Sequence, residues 1–110
     1  MAEATSDKPL TRAEVIAQAQ TVTGNALKAK TALAGTKKGG YVATLIGLLK
    51  SGISTADIGQ GYVAARVADF AGRPAYKGKD GPHVVNDCRK HAANHITLAL
   101  ATQVRKSQVA

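Results

Sequence analysis

His83, Cys88, His91 and His95 are of the types that bind metals or act as nucleophile and base. On a helix, Cys88, His91 and His95 stand at i, i+3 and i+7 and share one side. A structural zinc site, however, draws paired ligands from two elements, and neither a Cys-x-x-Cys nor a Glu-bearing zinc signature accompanies these residues. Cys88 also adjoins an apolar stripe, so the three read as residues at the boundary of a core. A Cys88–His91 nucleophile would lack both an orienting acid and an oxyanion element. The expectation is no metal, no cofactor and no enzymatic activity.

What remains is chemistry directed at phosphate. Fifteen Lys and Arg stand against seven Asp and Glu, giving a formal charge of +8. The cations come in pairs along the chain: Lys28/Lys30, Lys37/Lys38, Lys77/Lys79, Arg89/Lys90 and Arg105/Lys106. Such a surplus favours a polyanion, because every phosphate neutralised releases counterions. Lys37-Lys38-Gly39-Gly40 precedes a helix start, where free amides and the helix dipole suit a phosphate oxygen. The Gly-Lys-Ser/Thr ending of a nucleotide-binding P-loop is missing, and no strand comes before it. Tyr76-Lys77-Gly78-Lys79 has the composition of a loop that contacts a backbone or stacks on an exposed base.

These residues need elements to hold them. Residues 1–10 are small and polar and read as a flexible arm. Thr11-Arg12-Ala13-Glu14 fits a capping box. Apolar residues then recur at Val15, Ala19, Val22, Ala26, Ala29 and Leu33 with helical period, and Gly24-Asn25 sits where that helix would kink or split. A second helix runs from about Tyr41 to Lys50, with Gly47 placed for close packing. A third spans 55–70, weakened by Gly59-Gln60-Gly61. The last helix starts near Pro82 and runs to about Lys106, with Val85, Cys88, Ala92, Ile96 and Leu100 on one face. The fold class is all-α, four to five helices with a tight corner at 51–54. A single helical domain over 11–106 lies between the arm and a frayed end at 107–110.

Leu48-Leu49-Lys50-Ser51-Gly52-Ile53-Ser54 ends one helix on a glycine and opens the next on a capping serine. Over residues 48–58 this resembles the bacterial helix–turn–helix superfamily, with Ile58 plugging the angle between the helices. The resemblance implies a recognition helix over 62–70 in the DNA major groove. Val63, Val67 and Phe70 would pack inward. Gln60, Tyr62, Ala64 and Arg66 would face bases or phosphates, with Arg66 able to grip guanine in a bidentate way. The chain departs from the pattern after Ile58: the position eleven residues on is Asp69, and Val67 comes two positions early. The nucleic-acid-binding set is Lys37, Lys38, Lys50, Gln60, Tyr62, Arg66, Arg73, Lys77 and Lys79, and the partner is nucleic acid, DNA before RNA. One base-reading arginine per chain gives little specificity, so a specific binder would act as a homodimer.

Two further roles fit the same composition. One is a phage- or plasmid-type inhibitor that occupies a host protein or nucleoprotein machine. The other is a virion or assembly subunit. The lone Cys88 excludes an intramolecular disulfide and fits a reducing, cytoplasmic setting. No stretch is apolar enough to span a membrane, and the first residues lack a signal peptide's apolar core.

Overall fold

A computed structural model describes residues 10–37 and 39–109, residues 105–109 by backbone alone; Lys38, most of the N-terminal arm and Ala110 lie outside the described residues. The fold is all-α. Helices α1 (Arg12–Gln20), α2 (Gly24–Ala34), α3 (Tyr41–Lys50), α4 (Thr55–Ala71) and α5 (Gly81–Val109) follow in order, with a 3-10 turn at Pro74–Tyr76 between the last two. Helix α4 is the hub and packs against all four others, while α5 packs against α1, α3 and α4. No helix among the described residues is long and apolar enough to cross a membrane.

The helix starts are set by local chemistry. Thr11 Oγ1 accepts from the Glu14 amide at 3.1 Å, and Glu14 Oε1 accepts from the Thr11 amide at 2.9 Å, completing the capping box. Ser54 caps α4 by accepting from the Asp57 amide at 3.1 Å. Asp80 does the same for α5, accepting from the His83 amide at 2.8 Å; this leaves Pro82 in the first turn, where its missing N–H is not needed.

At the corner after α3, Gly52 takes φ +88°. Its amide donates to Leu49 O at 3.0 Å, and the Ile53 amide donates to Leu48 O at 3.3 Å. These two bonds and the burial of Leu48 and Ile53 make a Schellman ending.

One expectation about glycine agrees with the structure, the split at Gly24, and two are corrected. The helix expected from Thr11 onward divides at Gln20: a β-branched run at Thr21-Val22-Thr23 and a left-handed Gly24 (φ +58°) separate α1 from α2. Lys30 Nζ then donates to the open Gln20 carbonyl at 2.9 Å, placing a cation at the C-terminus of α1. Helix α4, by contrast, runs unbroken through Gly59-Gln60-Gly61. A Cβ on Gly61 would lie 2.5 Å from Ala29 Cβ, 2.7 Å from Ala26 O and 2.8 Å from Lys30 N, so α2 rests on the bare backbone of α4. The close-packing glycine is therefore Gly61; Gly47 is exposed, with open space around its Cβ position.

The core is built from Leu33, Leu45, Ile58, Tyr62, Val67, Phe70, Val84 and Cys88, all essentially without solvent exposure. On α5 the buried positions Val84, Val85, Cys88, Ala92, Ile96 and Ala99 keep helical spacing. None of the described side chains past Ala99 is buried, and Leu98, Leu100 and Val104 are exposed.

Candidate nucleic-acid interface

Tyr62, Arg66, Asp69 and Phe70 recur at i, i+4, i+7 and i+8 along one edge of α4, and Arg73 follows just past its end. Tyr41, at the start of α3, and His91 and His95, on α5, face this edge. Arg66 donates through Nη1 to Tyr62 Oη at 2.9 Å, and Tyr62 Oη lies 2.7 Å from His95 Nδ1. Arg66 can only donate, so all three groups are satisfied when the phenol hydrogen points to His95 Nδ1 and the ring proton sits on Nε2. The Arg66 guanidinium lies 4.4 Å from the Tyr41 ring centre and 5.2 Å from that of Phe70. Its Nη2 is 3.5 Å from Asp69 Oδ2, and the side chain is only 12 % exposed.

This geometry overturns the groove-reading placement. Tyr62 is 0 % exposed and Ala64 2 %, because the helix that carries them lies beneath its neighbours. Neither can face a base. Arg66 is engaged by a phenol, a carboxylate and an aromatic face, which leaves its fork unfit for bidentate readout of guanine. The inward placement of Val63, Val67 and Phe70 agrees with the structure. Gln60 is exposed, but it borders a different surface, the groove described below.

Burial favours the neutral forms of Cys88, Tyr62 and His95. Burial pushes the Cys88 thiol up to about 12, so it is no nucleophile near neutral pH. Burial also raises the Tyr62 phenol and lowers His95 below its ordinary 6.5. At the open end, the hydrogen bond from Arg73 holds the Asp69 carboxyl below its usual value. Among the described residues, no three His, Cys, Asp or Glu side chains are arranged to hold a metal ion.

The lowered His95 value gives a pH dependence. In the unfolded chain this group titrates near 6.5, whereas in the folded chain it resists protonation among Tyr41, Tyr62, Arg66 and His91. As pH falls through the unfolded value, only the unfolded chain gains the proton, so stability present above 6.5 is lost on acidification until folded His95 protonates too. Melting temperatures compared at about pH 7.5 and about pH 5 will show this drop, and His95→Gln will flatten it. An undiminished drop in the variant would assign the effect elsewhere.

Three further cations, Arg12, Arg73 and Lys77, gather at the far end of α4. Arg12 Nη2 donates to Ala71 O at 2.8 Å and Tyr76 O at 3.2 Å, and its Nε donates to Lys79 O at 2.9 Å. One guanidinium thus ties α1 to the end of α4 and to the loop after it. Arg73 lies 4.2 Å over the Phe70 ring and bonds Asp69 Oδ2 at 2.8 Å. Arg12, Arg73, Lys77 and Gly78 line a pocket of about 480 Å³.

Of the expected set, the structure therefore brings Arg73 and Lys77 together, with the Lys79 backbone beside them, and adds Arg12. A cation in the first turn of a helix opposes the helix dipole. That misfit was the one trace of Arg12's role in the sequence.

Lys37 is exposed in a loop that closes on Gly40, whose amide donates to Lys37 O at 2.9 Å, one residue before Tyr41 meets Arg66. Lys50 lies at the other end of α3, about 14 Å along the helix axis. The bend at 51–54 and the basic pocket occupy opposite ends of α4, about 25 Å apart. The cations Arg12, Arg73 and Lys77 thus cluster at the end of α4 remote from the bend. No lysine makes an ion pair among the described residues, and Lys28, Lys37, Lys50, Lys77, Lys79 and Lys90 are exposed.

A second concavity of about 690 Å³ runs between α1, the start of α4 and α5. Ala19, Val22, Val63 and Ile96 give it an apolar lining, Gln60 borders it, and Arg89 is its one charged lining residue.

No protein-family model, curated protein or solved structure matches the chain.

Proposed function

We propose that this is a small nucleic-acid-binding protein that grips phosphates at the C-terminal end of α4, with no helix entering a groove. The observation that carries the reading is the convergence of Arg12, Arg73 and Lys77 on one pocket. Acidic side chains elsewhere are occupied: Glu14 and Asp57 stand at helix N-termini, Asp80 caps α5, and Asp87 faces His83 at 3.5 Å. Among the described residues they pair with no lysine, which leaves the exposed lysines open to an outside anion. Binding of this kind is driven by counterion release and falls steeply with salt.

A mobility shift at rising salt tests it. Wild-type protein binds duplex or single-stranded oligonucleotides at low salt. The Arg73→Ala, Lys77→Ala double variant binds more weakly, and its log–log salt slope is shallower by about two. Absence of binding by the wild type at low salt would end this reading.

The apolar groove favours a second reading, in which the protein accepts a helix of a host protein and blocks it. A pull-down after nuclease treatment separates the two. Partners that persist favour the groove, and partners that vanish favour the phosphate pocket.

A further inference from the structure

We propose that the pocket at the end of α4 binds the terminal phosphate of a nucleic-acid strand, a specific mode that rests on the nucleic-acid reading above. Three features of the pocket argue for an anion with several oxygens. Arg12 is clamped by three carbonyls through Nε and Nη2, which leaves its Nη1 outside those bonds. A guanidinium already held in place loses little freedom when it binds a ligand. Arg73, stacked on Phe70 and bonded to Asp69 through Nη2, likewise keeps Nε and Nη1 outside that contact. Gly78, at φ +83°, has an amide with no hydrogen bond among the described residues, and Lys77 beside it brings an exposed ammonium to the same pocket.

Charge selects the kind of phosphate. Three cations meet one carboxylate, Asp69, and the negative end of α4. With about half an elementary charge for the helix end, the surplus is about +1.5. An internal phosphodiester carries a single negative charge, whereas a phosphomonoester carries about −1.5 to −2 near neutral pH and offers three acceptor oxygens. Shape points the same way. A duplex is a convex rod that meets a concave pocket badly, whereas a strand end can enter it.

The test uses one fluorescent oligonucleotide sequence in three forms: 5′-phosphate, 3′-phosphate, and hydroxyl at both ends. Anisotropy titrations are run with the full chain and with Arg73→Gln and Lys77→Ala, both at exposed or half-exposed positions away from the core. At least one phosphorylated form is expected to bind about tenfold more tightly than the hydroxyl form, as for one added charge-assisted contact. Either substitution should erase that preference while the hydroxyl form loses less. Equal binding of all three forms by the wild type would overturn the end-binding proposal and leave phosphate-backbone binding standing. Failure of every form to bind would overturn the nucleic-acid reading itself. A preference that survives both substitutions would place the end elsewhere on the protein and overturn the pocket assignment.

Discussion

Replacing Gly61 by valine should lower the melting temperature by about 10–20 °C, the consequence of about 2–3 kcal/mol of overpacking in a domain of this size. The first added carbon already lies 2.5–2.8 Å from a side-chain carbon, a carbonyl oxygen and an amide nitrogen of α2. Two of those three atoms are backbone and cannot rotate away, so α2 must lift from α4. Ala26, Ala29 and Leu33 then lose contact together, because all three are buried on the same face of α2. Helix propensity favours alanine over glycine by about 1 kcal/mol, too little to offset the clash. Gly47→Ala is the matched control. It sits within a helix with open space around the new carbon, so propensity acts alone and the variant gains about 0.5–1 kcal/mol. Thermal melts of the two variants beside the wild type check both signs. Equal behaviour of Gly61→Val and wild type would refute the α2–α4 contact.

Truncating Tyr62 should be as severe. Tyr62→Ala removes a fully buried ring from the centre of the hub helix, for which about 3–5 kcal/mol is expected. Tyr62→Phe keeps the ring and removes only the oxygen. It strands Arg66 Nη1 and His95 Nδ1 at half-buried positions, so its loss is smaller, about 1–3 kcal/mol. Urea denaturation with an unchanged m-value would read these as true stability changes. A groove-reading tyrosine would behave in the opposite way, with near-neutral stability and lost affinity. The pair of variants thus separates a central packing helix from a recognition helix in a single series.

The difference between those two roles shows where the sequence was legible. Interactions that close within a few residues could be read directly. Thr11 with Glu14, Gly52 with Leu49, and Ser54 with Asp57 each satisfy backbone groups one turn away, and residue type alone indicates them. The buried stripe of α5 was legible for the same reason, since apolar spacing on one helix is a local quantity. What a helix packs against is not local. Gly59-Gln60-Gly61 carries the same weak helix propensity whether it marks a turn or a crossing point, and only the arrival of α2 decides between them. Tyr62 and Arg66 have the composition of a nucleic-acid contact, but Tyr41 and His95, at distances of 21 and 33 residues from Tyr62, close over them and turn the same groups inward. That Arg73 and Lys77 stay at the surface could be read from their glycine-flanked loop, whereas Arg12 reaches that loop only through folding.

The attachment of Arg12 to Ala71, Tyr76 and Lys79 has a practical corollary for handling the protein. Thr11, which caps α1, directly precedes Arg12 at the rim of the cationic pocket. A polyhistidine or bulky fusion at that end would crowd or electrostatically mask the surface under test. The opposite terminus leaves from the end of α5, about 42 Å along the axis from Gly81, and is where labels and immobilisation handles belong.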